Sequence, residues 1–265
     1  DQLLEHGDPW GEFITLQCAP QPDEARIARL LELHRTRWEA WLGPCVVRGR
    51  TRFERGLPVA VRMQVEPGGR LPPPGPHWGT VQEIDWDWTG YEAQADWLAH
   101  PHLRGVTVLR HVKAVIARRL GLHPLPVRRL ELRGELTRSG PDVFHTLAAL
   151  PHLARVEVQE AAPDDVHLCA SSPLARRLER FEASNLGAWS LVAAAAAEVP
   201  VEATLVSETR CEVLARALRA AAGFGTRALR IHSRRRLAPD SLRLLEEAAA
   251  GYARVEWSLP QSPSR

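Results

Sequence analysis

The chain has 265 residues, of which 45% are hydrophobic, and a formal net charge of +2. A chain of this length can bury a sizeable core, as one elongated domain or as one domain with a cap. No run of residues approaches the ~20 consecutive apolar residues that a membrane span needs. The near-neutral charge points neither to nucleic acid nor to an acidic ligand.

Two helical patterns occupy residues 1–50 and set them apart from the rest of the chain. Asp8 suits a helix N-cap, and Pro9 suits the first helical position, where its missing N–H costs nothing. A second helix is predicted over Asp23–Leu42, because its apolar residues recur on one side at spacings of three and four. Gly43-Pro44 ends this second helix.

These helical residues also carry a motif that resembles a family pattern. The motif reads Leu3-Leu4-x-x-Gly7-Asp8-Pro9-x-Gly11-Glu12-Phe13-Ile14-x-Leu16-Gln17, with Trp41-Leu42-Gly43-Pro44 and Phe53-x-Arg55-Gly56-Leu57 downstream. It is similar to the repeat-companion domain found ahead of leucine-rich repeats in some bacterial proteins. The resemblance implies a bacterial protein in which residues 1–50 cap a repeat array. That family is defined by the repeats it accompanies, so the resemblance brings no catalytic residues.

An alternating pattern follows over residues 57–65. Val59, Val61, Met63 and Val65 fall on one face, which predicts a half-buried strand. Residues 66–76 are rich in proline and glycine and are predicted to form a loop.

From about residue 81 the chain repeats the pattern apolar-x-x-apolar-x-apolar, as in Val127-Arg128-Arg129-Leu130-Glu131-Leu132. Successive copies are 22 to 26 residues apart. A period in this range is typical of a solenoid, in which each repeat buries its apolar face against its neighbours. We predict that the fourth-position residues lie buried in parallel strands. They are Ile84, Val106, Leu130, Val156, Phe181, Ala203, Leu229 and Val255.

Helical patterns separate these strands, and the Ala193–Ala197 run is predicted to be a tightly packed helix. Strand–helix alternation implies a parallel sheet with helices on one face, which is an α/β fold. The repeat resembles the first half of a leucine-rich repeat, which implies that residues 51–265 form a solenoid with concave strands and convex helices. The asparagine that normally follows is absent, so the turns must be closed differently. An ordinary open α/β sheet is the alternative fold.

Alternate residues of the predicted strands point to the open, concave face. Two explanations fit the charges there: mutual neutralisation that keeps the face soluble, or a surface that steers a protein partner. Not every repeat is charged there, because the second repeat has Gly105 at its third position and Thr107 at its fifth. The predicted partner-binding residues are Arg129, Arg155 and Arg180 at position three, Glu131, Glu157 and Glu182 at position five, and also Asp85, Asp87, Trp88 and Trp257.

Motifs for chemistry are scarce in this sequence. It contains no phosphate-binding glycine loop, no G-x-S-x-G and no H-E-x-x-H. His100 and His102 stand beside a proline just before a strand, which predicts turn residues and not metal ligands. Cys18, Cys45, Cys169 and Cys211 form no C-x-x-C pair, which argues against a zinc site and a disulfide framework and predicts free thiols in a reducing cytosol.

The sequence therefore predicts a non-enzymatic, cytoplasmic protein–protein interaction scaffold that needs no metal and no cofactor. The alternatives are an enzyme whose site is assembled from several repeats, and a nucleic-acid-binding protein that uses arginine clusters such as Arg234–Arg236. The last strand pattern ends at Leu259 and runs into a polar tail that is too short to cover a strand edge. We predict that Trp257 and this edge meet another chain, either a second copy or a different protein, unless the predicted helix over residues 239–250 covers the end.

Overall fold

A computed structural model describes residues 6–66, 69–134, 136, 143–198 and 200–259. These residues form eight α-helices and eleven β-strands. The strands belong to one open, mostly parallel sheet, in which they follow one another in chain order. The α/β class predicted from the repeat is therefore confirmed. The chain divides into two compact units, residues 1–112 and residues 113–265. The sequence features of residues 1–5 and of the tail 260–265 lie outside the described residues.

Unit 1, residues 1–112, starts with the two predicted helices. The carboxylate of Asp8 accepts the N–H of Trp10 at 2.9 Å and caps the first helix, while Asp23 caps the second. The ring of Trp38 stacks on that of Phe13, with centroids 4.8 Å apart, which packs the two helices together. The elements of unit 1 are α1 (Pro9–Cys18), α2 (Glu24–Glu39), β1 (Arg52–Glu54), β2 (Leu57–Arg62), β3 (Glu83–Asp85), α3 (Gln94–Leu98) and β4 (Val108–Val112).

The first six residues of the alternating pattern 57–65 form strand β2, so the predicted strand is confirmed there but ends earlier than expected, and the four alternate apolar residues of the pattern are all buried. Strand β2 also pairs with the short antiparallel strand β1, a hairpin that the repeat pattern does not indicate. Strand β4 begins later than predicted. Ile84 pairs with Leu109 and not with Val106, which is buried but lies outside the strand. Gly105 and Thr107 therefore precede the strand, and Val108 and Arg110 lie opposite the polar residues of β3.

Unit 2, residues 113–265, alternates strands with helices except over residues 180–205, where three strands follow one another. Helix α4 (Ala114–Leu120) packs against α5 (Val143–Leu147), α6 (Pro163–Ser171) packs against α7 (Cys211–Ala221), and α7 packs against α8 (Pro239–Ala249), so these neighbouring repeats bury their helices together. The buried side chains of the strands complete this core. The elements of unit 2 are α4 (Ala114–Leu120), β5 (Arg129–Arg133), α5 (Val143–Leu147), β6 (Arg155–Gln159), α6 (Pro163–Ser171), β7 (Arg180–Asn185), β8 (Trp189–Ala194), β9 (Val201–Leu205), α7 (Cys211–Ala221), β10 (Ala228–Ser233), α8 (Pro239–Ala249) and β11 (Arg254–Ser258).

Strands β5, β6 and β7 are parallel, and so are β9, β10 and β11. Between these two groups β8 runs antiparallel to both β7 and β9. The predicted helix over Ala193–Ala197 is therefore wrong, because its first two residues end β8. The turn from β7 into β8 uses Gly187 with φ 72°, a left-handed conformation that glycine adopts without steric cost. Trp189, Leu191 and Ala193 then alternate into the core, which gives a strand a buried face.

The fourth-position residues largely follow the prediction. Seven of the eight lie in strands, the exception being Val106. All are buried except Val255 on β11, which is half-buried. Among the described residues, no helix is long and apolar enough to cross a bilayer.

Candidate functional site

Two rows of charged side chains cross strands β5, β6 and β7 of unit 2. In the parallel register Arg129 lies beside Arg155, and Arg155 lies beside Arg180. Two residues further along each strand a second row follows the same register. We call the first set the arginine row, and we call Glu131, Glu157 and Glu182 the glutamate row. Because side chains alternate along a strand, both rows point away from the core residues between them.

The arginine row remains accessible although each of its members makes an ion pair. The side chains of Arg129, Arg155 and Arg180 are 37%, 59% and 45% exposed. The most exposed of them, Arg155, also has the longest contact, and its partner is not in the glutamate row. The ion pairs are Arg129–Glu157 at 3.2 Å, Arg180–Glu182 at 2.5 Å and Arg155–Glu179 at 3.7 Å.

A shallow cavity of about 310 Å³ opens between the rows. Its walls consist of charged side chains, with Val156 between them. Such walls can hold carboxylates and ammonium or guanidinium groups at defined places, but they offer little apolar surface. The charged residues that line it are Arg129, Arg155, Glu157, Arg180 and Glu182.

Glu131 differs from the other two members of its row, because its side chain is only 3% exposed. It accepts a hydrogen bond from the side-chain amide of Gln159, which lies on the neighbouring strand. Glu131 was predicted to contact a partner directly. The structure buries it, so that Glu157 and Glu182 form the accessible part of the row.

Beyond β7 the glutamate row is interrupted at β8, and charged side chains return at the same level of the sheet on β9. Glu182 lies beside Val192 of β8, and Val192 lies beside Glu202 of β9. Arg230 of β10 then contacts Glu202 at 3.0 Å and Glu256 of β11 at 2.7 Å. The hydrogen bond from Arg230 holds the pKa of Glu256 below its usual value, and the same bond raises the pKa of Arg230.

The repeat alignment did not reveal this charged trio. It aligned Ala203 with Leu229, whereas the structure pairs Ala203 with Ile231, a shift of two residues. This shift keeps the same side chains on the open face but places Arg230 opposite Glu202. The complementary charges could have suggested the pairing, while the spacing of the repeats could not.

The predicted residues Asp85, Asp87 and Trp88 lie in unit 1, at the carboxyl end of β3. Oδ1 of Asp85 accepts the backbone N–H of Asp87 at 2.8 Å and lies 2.7 Å from Nδ1 of His111. Asp87 forms an ion pair with Arg62. The rings of Trp88 and His111 meet edge to face, with centroids 4.6 Å apart.

The backbone of this cluster is unusual. Asp87, Trp88 and His111 have φ values of 48°, 57° and 53°, although none of them is glycine. Such conformations cost free energy and persist where the surrounding contacts hold them. The hydrogen bond from the N–H of Trp88 to the carbonyl oxygen of His111, at 3.1 Å, is one such contact. Sequence analysis missed His111 and Arg62, because they reach Asp85 and Asp87 through the pairing of β3 with β4 and β2.

Trp257 lies on β11, opposite Ile231 of β10. It is half-buried, whereas Ile231 is fully buried. Trp257 therefore belongs to the core-facing side of the sheet and does not extend the charged rows. Its predicted contact with another chain concerns the strand edge only.

The predicted turn histidines contact each other and the backbone of Pro74. The backbone N–H of His102 donates to Nδ1 of His100 at 3.2 Å, and Nδ1 of His102 lies 2.8 Å from the carbonyl oxygen of Pro74. The four cysteines all lie within the described residues and form no disulfide. Within the described ranges no group of three or more His, Cys, Asp or Glu side chains is placed to hold a metal ion.

The groups that the structure assembles are thus ion-pairing and hydrogen-bonding side chains on an open sheet face. Comparison of this chain with models of protein families, with curated proteins and with solved structures gives no match.

Proposed function

We propose that unit 2 is a leucine-rich-repeat-like solenoid and that the chain is a non-catalytic scaffold, which binds a protein partner on the face that carries the arginine and glutamate rows. The observation that carries the proposal is the register of these rows across β5, β6 and β7. The chain-order sheet and the pairwise packing of successive helices support the solenoid.

Stability alone gives little reason for this arrangement. Exposed ion pairs contribute ~0.2–1 kcal/mol each, and like charges on adjacent strands oppose one another. Arg155 lies between two arginines, and Glu157 lies between two glutamates. Mixed charges at these positions would serve solubility equally well with less repulsion. Segregated rows therefore favour recognition of a complementary surface.

The character of the cavity favours a protein over a small molecule. Small-molecule sites are mostly apolar clefts of roughly 300–1,000 Å³ with few polar groups. The cavity between the rows, at about 310 Å³, is at the lower end of that range and has charged walls. Exposed arginines on a broad face are common in protein interfaces, where they steer the approach of the partner.

Reversal of the arginine row tests the proposal. We expect the triple variant Arg129→Glu, Arg155→Glu, Arg180→Glu to fold, because these side chains are exposed, and to lose capture of its partner from a lysate of the source cell. The milder triple variant Arg→Gln at the same positions separates loss of attraction from new repulsion. Circular dichroism checks folding, and quantitative mass spectrometry of the captured proteins measures the loss.

A matched control places the same charge change on the helices. Arg216, Arg219 and Arg243 are exposed on α7 and α8, and their reversal to Glu should leave capture unchanged. Capture should also weaken with salt for the wild type. If the strand variant keeps full capture, or if the helix variant loses as much, the rows are not the binding surface.

A further inference from the structure

We infer that the partner presents an α-helix, which lies across strands β5, β6 and β7 with an acidic stripe over the arginine row and a basic stripe over the glutamate row. This inference rests on the proposed function and adds the shape and charge order of the partner. Its starting point is that like charges repeat from strand to strand, while unlike charges follow one another along each strand.

The spacing of the rows favours a helix over an extended segment. Neighbouring strands are ~4.8 Å apart, so the first and third members of a row are ~9.6 Å apart. Two turns of an α-helix advance ~10.8 Å. An extended chain advances ~13.4 Å between the first and third side chains of one face. The spacing of side chains on a helix that crosses the strands therefore matches that of the row to within ~1 Å, whereas the spacing on an extended chain differs from it by ~4 Å.

The middle of the arginine row is the best anchor for this helix. The ion pair of Arg155 with Glu179 is long, at 3.7 Å, and both side chains are more than half exposed. A carboxylate on the partner can replace Glu179 there with two parallel hydrogen bonds to the guanidinium. On the glutamate row, Glu157 and Glu182 are the accessible members, so the basic stripe needs two charges and not three.

Strand β8 indicates which kind of side chain the next turn of the partner helix carries. Ala194 lies beside Arg180 and Val192 lies beside Glu182, so both rows lose their charge at this strand. Val192 and Ala194 are half-buried on the same face as the rows. A helix that continues across β8 would place an apolar side chain over them, because a charge there would lose solvent without gaining a partner. The partner helix thus has three charged turns followed by an apolar turn.

Designed peptides test this inference on the full chain. The matched probe is a stapled four-turn helix with three glutamates on one stripe, two lysines on the adjacent stripe and leucine in the last turn. A second stapled helix has the same composition with the charges mixed within each stripe. A third peptide has the matched sequence with two prolines in place of the staple, so that it cannot be helical. Fluorescence anisotropy measures binding at low and at physiological salt.

We expect the matched helix to bind about tenfold more tightly than either control, because the free-energy contributions of several exposed ion pairs together amount to a ratio of this size. The triple variant Arg129→Gln, Arg155→Gln, Arg180→Gln should remove the difference. If the proline peptide binds as tightly as the helix and the variant weakens both, the face with the two rows binds peptides, but the inference of a helical partner is wrong. If the peptides bind equally and the variant changes nothing, the charge rows recognise no partner, and the proposed function is wrong as well.

Discussion

The buried carboxylate of Asp165 accepts a hydrogen bond at 2.8 Å from the backbone N–H of Leu136, which lies 29 residues earlier in the chain. Its other oxygen accepts the N–H of Ala162, just before α6, also at 2.8 Å. The residue is completely buried. One side chain therefore joins the segment after β5 to the helix that follows β6, and it satisfies two backbone donors of neighbouring repeats.

Acidic side chains satisfy backbone N–H groups at the contacts between repeats. The leucine-rich-repeat pattern that the sequence resembles has an asparagine whose side chain satisfies backbone groups at the turns, and this chain lacks it. Glu208, before α7, accepts the N–H of Ala238 before α8 at 2.6 Å, and this bond lowers the pKa of Glu208. Asp165 accepts a backbone N–H from the preceding repeat. Each acidic side chain connects one repeat with the next, and a short motif search cannot find a partner about 30 residues away.

The first prediction concerns the bond between Asp165 and its two donors. In Asp165→Ala both N–H groups lose their acceptor inside the protein, and each costs about 1–3 kcal/mol when it is left unsatisfied. We expect the free energy of unfolding to fall by about 2–5 kcal/mol. Urea denaturation followed by circular dichroism measures this loss.

The adjacent residue provides the control. The side chain of Asp164 is 61% exposed, and it pairs with Arg216 at the surface at 3.0 Å. Asp164→Ala should therefore cost less than about 1 kcal/mol. Equal losses for the two variants would show that Asp165 does not link the repeats energetically.

The second prediction concerns the close approach of two repeats at Gly121. A Cβ atom at this position would lie 2.1 Å from the carbonyl oxygen of Thr146 in α5. Because the obstacle is backbone, Gly121→Ala should shift the helices and cost about 1–3 kcal/mol. Gly251→Ala is the control, since the nearest atom there is the Cβ of Ala222 at 4.0 Å. Thermal unfolding of both variants decides the matter, and equal melting temperatures would contradict the prediction.

The parallel strands of unit 2 were predictable, because period-two alternation within a constant spacing marks a buried face. Strand β8 was not predictable, since the residues from Leu191 to Ala197 form a nearly continuous apolar run in which alternation is hidden. Val106 misled the alignment for a related reason. It is apolar and buried like an anchor residue, but Leu109 takes the paired position in β4.

The candidate surface was predictable only in part. The alternation of side chains along each strand is enough to place the arginine row on one face of the sheet. This step requires no knowledge of the turns. The burial of Glu131 depends on Gln159, and the pairing of Arg230 with Glu202 depends on the register between two strands. The contact of His111 with Asp85 depends on left-handed backbone at non-glycine residues. These features arise from three-dimensional contacts that a single sequence does not encode as a pattern.

The third prediction concerns the dependence of stability on pH. The hydrogen bond from Arg230 keeps the pKa of Glu256 below its usual value in the folded chain. The ionised form is thus favoured by folding, so its contribution is present above the unfolded pKa of about 4.3 and is lost as the pH falls through the lower folded pKa. Stability should fall less steeply below about pH 5 in Glu256→Gln than in the wild type.

Denaturant unfolding across a series of acidic buffers measures this slope. Glu246→Gln on α8 serves as a control, because it removes an exposed carboxylate from another element and leaves the Arg230–Glu256 bond in place. Identical slopes for the wild type and Glu256→Gln would show that the Arg230–Glu256 bond contributes nothing to acid sensitivity.

The fourth prediction concerns the edge of β11. This strand pairs with β10, and Val255 and Trp257 lie opposite Leu229 and Ile231. The β10 residues are fully buried, but the β11 residues are only half-buried, because their outer side lacks the next repeat within the described chain. A strand edge beside half-exposed apolar residues favours pairing with another strand. We predict that two copies of the chain associate through β11.

Light scattering over a wide range of protein concentration tests this association. The wild type should become dimeric as the concentration rises, and Trp257→Lys should remain monomeric, because a charge at the edge opposes strand pairing. Leu186→Lys is the matched control. Leu186 is 82% exposed at the turn between β7 and β8, so its replacement removes more apolar surface without touching the edge, and association should persist. If the wild type and both variants are monomeric at every concentration, self-association is wrong, and the edge is either left open or covered by a different chain.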